Sequence, residues 1–313
     1  MRFNKLDLNL LVALEAMLSL QSVSRAAEQL HMSQSAMSSA LTRLRDYFDD
    51  ELLVQVGRRM EPTPRAEVLK EAVRDLLLRL ETTITAQPEF DGTSAEREFR
   101  IFLSDFTMQM LAPHLLRLAQ REAPAVRFHF PPLTNDPKRA LERGELDLLV
   151  IPKPYTSPEH PIEPLFDEGY CCVVWSGSRL AQRGLTFEAY VGAGHVAMLP
   201  PGQLWQAFET RFMQRHEIDR RVEVTTYSFT AMPHLVIGTE RVATVHERLG
   251  RQLAPVLPIT LLPAPMAIDR LPQTMQWHKY RTQDPGLTWL RDLMRRAVVE
   301  MDAVGQAQIP SKP

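Results

Sequence analysis

The chain has 313 residues, 44% hydrophobic and 24% charged, enough for two or three domains with ample core, and this composition excludes a largely disordered polymer. A formal net charge of -2 excludes the global basic surplus seen in many nucleic-acid binders, and no apolar run reaches the roughly 18 residues of a membrane span. The only cysteines, Cys171 and Cys172, are adjacent in a strand-like run, where a mutual disulfide would be strained, so buried thiols in a reduced cytoplasmic protein are expected.

The opening MRFNKLDLNLLVALEAML couples a charged start to an apolar run, but Asp7 and Glu15 interrupt it and no small-residue cleavage site follows, so it does not read as a signal peptide. Asp7 is instead placed to cap a helix whose Leu10, Leu11, Leu14, Met17 and Leu18 form an apolar stripe. Val23, Ala26, Ala27 and Leu30 then repeat at helical spacing, and the two alanines leave room for a close crossing. His31 and Met32 form a break. Ser33 can cap the next helix, on which Ala36, Ala40, Leu41, Leu44 and Phe48 share one face. This spacing predicts a helix-turn-helix over 22–48. The opposite face carries Gln34, Ser35, Ser38, Ser39, Thr42 and Arg43, short polar or guanidinium side chains suited to base edges and phosphates in a major groove; the alternative is an ordinary solvated helix face. Residues 1–62 hold seven Lys and Arg against eight Asp and Glu. A positive field must therefore come from placement, with Arg43, Arg45, Arg58 and Arg59 toward DNA and Asp46, Asp49, Asp50 and Glu51 turned away.

Leu52 to Val56 reads as a strand, Gly57 as a turn and Met60 as the return, the pattern of a wing with Arg58 and Arg59 at its tip. Those arginines would reach a minor groove or the phosphate backbone, unless they simply decorate a plain hairpin. Thr63 and Pro64 open a long helix to about Thr85, on which Leu69, Val73, Leu76, Leu80 and Ile84 make a heptad-like seam. An identical chain is the simplest partner for that seam, and packing on the chain's own C-terminal domain is the other reading.

QPEFDGTSAE, at 87–96, is a polar hinge. Beyond it, strands alternate with helices in two series, predicting a two-lobed α/β domain with largely parallel sheets. The second series includes helices at Leu204–Arg215 and Ala231–Thr239, and Pro113 should kink or delay the first helix of the domain. No phosphate loop, nucleophile elbow, zinc-protease motif or paired cysteine set is present, so neither catalysis, nor a cofactor, nor a metal is expected. Ligands of such folds sit beyond strand ends, between lobes. Ser104, Asp105, Phe106 and Thr107 after the first strand, Ile151 and Pro152 after the third, and Ser228, Phe229 and His246 from the second lobe are the candidate cleft residues for a small aromatic or anionic ligand. All of them equally suit packing between lobes.

LDLNLLVALEAML, SVSRAAEQLHMSQSAMSSALTRLRDYF, the wing LLVQVGRRMEPTP and REAPAVRF together resemble a LysR-type transcriptional regulator over nearly the whole chain, and the two ends resemble the branch of nodulation and aromatic-degradation regulators. The resemblance implies a winged helix-turn-helix at 1–62, a dimerising linker helix at 63–86, the hinge, and a two-lobed effector-binding domain like a periplasmic binding protein at 97–313. Lobe I would take about 97–168 and 270–302, and lobe II about 169–269. It implies a cytoplasmic homodimer or tetramer that binds a double-stranded DNA operator and a small-molecule effector and contacts RNA polymerase. By position, Ser33, Gln34, Ser35, Ser38, Ser39, Thr42 and Arg43 would form the DNA face, with Arg58 and Arg59 on the wing. Ser35 stands where the family usually has proline, and His246 where related regulators often do. An architectural DNA binder without effector, or a solute-binding protein or enzyme with an accessory helical domain, are the rival readings.

Overall fold

The computed structural model describes residues 6–57, 59–84, 89–132, 136–199 and 207–307. Two units are separable, Met1–Ala86 and Gln87–Pro313.

In the first unit, α1 (Leu8–Leu20), α2 (Val23–Gln29) and α3 (Gln34–Phe48) each begin at a side-chain cap: Asp7, Ser22 and Ser33 accept hydrogen bonds from the backbone N–H of Leu10, Arg25 and Ala36. His31 supplies the break between α2 and α3 with a left-handed φ of 52°, unusual for a residue with a Cβ. The three helices close on Leu14, Met17, Leu18, Ala26, Met37 and Leu44, all fully buried. On α3 the apolar face is led by Met37, while Ala36, assigned to that face from spacing, lies exposed. The true face turns from Met37 through Ala40 and Leu41 to Leu44, a phase that small alanines cannot reveal.

The wing is β1 (Leu53–Val56) paired antiparallel with β2 (Arg59–Pro62); Val56 faces Arg59, leaving a two-residue turn that opens at Gly57 with φ 62°. Its base is pinned by Arg45, whose Nε and Nη2 donate to the carbonyls of Glu51 and Leu53 at 2.8 Å each. Arg45 thus serves the wing's fold and not the outer face assigned to it from sequence. Helix α4 (Pro64–Ile84) starts where Thr63 accepts from Ala66 N–H and donates to Asp50.

The α4 seam read from the sequence needs correction. Val73 is only 5% exposed and Leu69 packs beside it, both in the core shared with α1. The apolar residues of α4 that face outward are Val68 at 74% and Leu76 at 43% exposure, with exposed Ala72 between them at four-residue steps. Leu80 is half-buried. The side chain of Ile84 lies outside the described residues.

The second unit carries two five-stranded sheets. The first has the order β4–β3–β5–β12–β6 and is built from β3 (Glu98–Phe102), β4 (Arg127–His129), β5 (Leu148–Pro152), β6 (Ile162–Glu168) and β12 (Leu271–Gln276). The second runs β11–β7–β10–β8–β9, from β7 (Tyr170–Trp175), β8 (Gly194–Met198), β9 (Arg221–Thr226), β10 (Val242–His246) and β11 (Ile259–Pro263). Helices α5 (Asp105–Glu122) and α11 (Pro285–Ala307) cover the first sheet over a core of Phe99, Ile101, Leu115, Leu290 and Met294. The shorter α6 (Pro137–Glu142), α7 (Arg179–Arg183), α8 (Phe187–Gly192), α9 (Phe208–Arg215) and α10 (Glu247–Leu253) complete the lobes.

The sheets are mixed, not largely parallel. β3 runs parallel to β4 and β5, and β8 to β9 and β10, but β12 opposes β5 and β6, and β7 opposes β10 and β11. The chain crosses between lobes twice, after β6 and after β11, and the strand that arrives each time enters the sheet against its neighbours. β6 escaped the sequence reading because Pro161 and Pro164 flank and interrupt it, tolerable only on the edge it occupies. The helix expected at Ala231–Thr239 is a single 3-10 turn, Met232–Val236, with Pro233 inside it. The helix expected from Leu204 is described only from Phe208, since 204–206 lie outside the described residues. Helix α5 runs unbroken through Pro113, without the late start expected there.

Candidate functional site

The chain has two candidate sites, one in each unit. In the first unit, Ser33, Gln34, Ser35, Ser38, Ser39, Thr42 and Arg43 are all exposed, and so is Ala36 among them. Three hydroxyls are internally oriented: Ser33 and Ser35 Oγ lie 3.0 Å apart, and Thr42 donates to the Ser38 carbonyl at 3.1 Å. Arg43 Nη2 rests 3.3 Å from Asp7 Oδ2, both well exposed, so the guanidinium can leave that carboxylate at small cost. Arg59 is exposed on the wing; Arg58 lies outside the described residues. The face holds donors, acceptors and the methyl groups of Ala36 and Thr42, the repertoire that reads base edges and thymine methyls in a major groove. Spacing alone places the Ala36 methyl in the core, and the structure turns it onto this face instead.

In the second unit a cavity of about 270 Å³ lies between the lobes. Of the cleft residues expected from sequence, Ser104, Ile151, Pro152, Phe229 and His246 line it. The other four do not. Asp105 Oδ2 accepts from Ser228 Oγ at 2.7 Å, Thr230 N at 2.9 Å and Thr230 Oγ1 at 3.0 Å, so Asp105 and Ser228 clamp one lobe to the other. Thr107 is buried behind Ser104, whose Oγ accepts from its N–H at 3.1 Å. Phe106 stacks face to face on His246, centroids 3.9 Å apart and planes 5° from parallel. The N-terminus of α5, expected to attract an anionic ligand, already carries the Asp105 carboxylate in its first turn.

Sequence reasoning missed most of the aromatic wall. Phe102, Tyr155, Tyr170 and Phe208 line the cavity, with Tyr170 and Phe208 stacked at 6.3 Å, and Asp136 and Lys138 add one charge of each sign. Burial pushes the Tyr155 phenol above its usual range, opposed by the nearby Arg211 guanidinium, and burial pushes Tyr170 far higher. Both are neutral donors at ordinary pH. Burial likewise holds His246 down at about 3 against the opposing Asp105 carboxylate, so its imidazole is uncharged.

Two buried polar atoms of the lining residues stand out, His246 Nδ1 and Gln273 Oε1, which have no hydrogen-bond partner among the described residues. An unmatched buried polar atom costs about 1–3 kcal/mol, so each favours a ligand able to satisfy it. Gln273 comes from β12, the strand that returns from the other lobe, and no local pattern in QTMQ marks it as a wall residue.

The remaining chemistry is inert. Both cysteines are buried free thiols pushed up to about 12, mainly by burial. Among the described residues no cluster of three or more His, Cys, Asp or Glu side chains is placed to hold a metal ion, and no helix is long and apolar enough to cross a membrane.

Comparison with known proteins bears on both units. Residues 8–67 match the family described as bacterial regulatory helix-turn-helix protein, lysR family, and residues 92–299 match the LysR substrate binding domain. Nodulation protein D 1 of Mesorhizobium japonicum is 38% identical over 98% of this chain and 98% of that protein. Nodulation protein D 1 of Sinorhizobium fredii strain NGR234 is 39% identical over 100% of this chain and 98% of its own length. Among solved structures, the probable transcriptional regulator PA0477 from Pseudomonas aeruginosa is 27% identical, covers 94% of this chain and 98% of its own, and superposes with a TM-score of 0.63. Full-length OxyR from the same organism, at 18% identity, covers 93% and 95% of the respective chains with a TM-score of 0.72 and shares the fold.

Proposed function

The chain belongs to the LysR family of bacterial transcriptional regulators, and on that footing we propose that it reads an interrupted palindrome with two copies of α3 and is switched by a small, uncharged aromatic molecule in the inter-lobe cavity. That it is a DNA-binding regulator with an effector-binding domain, and not an enzyme, follows from the family; the occupant of the cavity and the residues involved are our reading. The observation that carries it is the cavity itself: an aromatic wall with a neutral imidazole and two unmatched buried polar atoms, His246 Nδ1 and Gln273 Oε1. A ligand carboxylate at the Asp105 end of the cavity would meet a like charge, and the single cation among the described lining residues, Lys138, is offset by Asp136 on the same wall, so the cavity favours an uncharged ligand.

LysR regulators form oligomers. For this chain the outward stripe Val68, Ala72 and Leu76 of α4, continued by Leu80, suits a two-fold partner, which would present two α3 faces to successive major grooves. Ser33, Gln34, Ser35, Ala36, Ser38, Ser39, Thr42 and Arg43 then contact the groove, and Arg58 and Arg59 the flanking backbone or minor groove. The regulator acts in the cytoplasm, as a dimer or a dimer of dimers, and ligand binding alters DNA bending or polymerase contact through its preference for one arrangement of the assembly.

The test is a footprint of the purified protein on the DNA upstream of its own gene, with and without a panel of neutral and acidic aromatics. Two protected half-sites whose pattern shifts with a neutral aromatic are expected. A footprint indifferent to every member, with no ligand shift in melting temperature, removes the effector from this reading and leaves an architectural DNA binder.

A further inference from the structure

Helix α4 is held to α1 in two ways. Ala66 and Val73 join the core beneath α1, a non-directional contact that by itself tolerates roll and slide. Beside that contact, Arg74 on α4 reaches Glu15 on α1: its Nη2 donates to Glu15 Oε1 at 2.6 Å and to Ser19 Oγ at 2.8 Å, its Nε lies 3.2 Å from the same carboxylate oxygen, and Ser19 Oγ donates to Glu15 at 2.8 Å. One turn earlier Lys70 Nζ donates to the Leu18 carbonyl at 3.1 Å, near the end of α1. The pair is largely covered, with 14% and 22% side-chain exposure, and Arg74 Nη1 is buried with no partner among the described residues. An ion pair removed from water in this way adds little net stability, but the planar guanidinium fork fixes direction.

We propose that Arg74 and Glu15 are positioning residues that set the angle between the long helix and the reading head, and thereby the spacing of the two half-sites the regulator accepts. The inference rests on the α4 seam proposed above. The faces of α4 make the connection. Val68, Ala72 and Leu76 point away from the α1 contact, so one side of the helix is free for a partner while the other grips the head. Only Gln21 and Ser22 separate α1 from α2, so the direction of α1 is passed on to the helix-turn-helix with almost no slack. With α4 fixed by two-fold pairing, any rotation at the α1–α4 joint swings both α3 helices in opposite senses along the DNA. One added base pair turns the second half-site by about 35°, so a stiff joint discriminates spacers and a loose one does not.

The experiment uses the full chain and duplexes selected by the wild-type protein from random sequence, remade with the spacer varied one base pair at a time and also as single half-sites. Wild type should show one sharp optimum. Arg74→Ala should keep its sedimentation behaviour and its single half-site affinity, lose about tenfold on the best spacer, and show a flattened spacer profile. The exchanged pair Glu15→Arg with Arg74→Glu should restore the optimum. A spacer profile in Arg74→Ala that matches wild type overturns the proposal. So does loss of half-site binding that the exchanged pair fails to restore, which makes the contact a structural prop. A wild-type chain that sediments as a monomer on DNA overturns the seam itself, by a measurement separate from the spacer series.

Discussion

His246 shows how one side chain ties stability to solution conditions. Its imidazole is neutral in the fold, held at about 3, and His195, hydrogen-bonded to the Tyr190 carbonyl, is held at about 4, in each case by burial. The unfolded chain would take protons on both near the ordinary value of 6.5, so their contribution is complete above that pH and drains away as pH falls through 6.5 toward the folded values. Glu168 and Glu209, buried carboxyls raised above their usual range by desolvation, act in the opposite sense, because the folded state takes up their protons first. Replacing His246 alone isolates its share. His246→Phe, which keeps an aromatic ring on Phe106, should shrink the drop in urea midpoint between about pH 7 and about pH 5 relative to wild type; an undiminished drop rejects the assignment. On the other unit, Arg43→Ala should weaken binding of a selected duplex by roughly 1 to 3 kcal/mol at matched salt while leaving the oligomer intact. Equal affinity would take Arg43 off the DNA face.

At the scale of elements, α4 separates two kinds of apolar residue that look alike in a heptad count. Leu76→Asp or Val68→Asp should dissociate the oligomer in sedimentation with little change in melting temperature, since both side chains face outward. Val73→Asp should destabilise the first unit by about 3 kcal/mol, because the carboxylate would be forced into the core under α1. Identical effects from the three substitutions would mean that the two faces are not distinct. The same example explains what was legible beforehand. The three helices, the wing and α4 announce themselves through caps, a glycine turn and strong periodicity, all local signals. The phase of α3, where Met37 and not Ala36 is buried, and the phase of α4 depend on which neighbouring helix arrives, which periodicity alone does not record. β6 was hidden by its prolines, and the antiparallel strands by crossings that no local pattern records.

For the whole effector unit, the two lobes are joined by contacts far apart in sequence. Asp105 accepts from Ser228 and Thr230, Gln109 Nε2 donates to Gln252 at 3.0 Å, and Arg248 bonds both Glu168 and Asp302. Charge-assisted bonds of the Asp105 kind are worth about 1.5–3 kcal/mol, so Asp105→Ala should lower the melting temperature of this unit and raise hydrogen exchange at Ser228–Ala231 while DNA affinity of the first unit is retained. Unchanged exchange there would show that the lobes are held elsewhere. Much of the cavity was readable from the rule that strand ends line clefts, which located Ser104, Ile151, Pro152, Phe229 and His246. Tyr155, Tyr170, Phe208 and Gln273 were not, because their place on the wall depends on the two crossings between sheets and on the seating of α9.

The adjacent cysteines have a use that follows from their position on β7. Successive residues of a strand face opposite sides of the sheet, and Cys171 packs with Val173, Met232 and Val245, whereas Cys172 packs with Val174, Tyr190 and Phe212. With both thiols protonated and covered, a thiol-reactive dye added to the folded protein has to wait for the strand to come out. The labelling rate is therefore a clock of local opening, and single Cys171→Ser and Cys172→Ser proteins carry one clock on each side of the same sheet, timing the two layers that cover its faces independently.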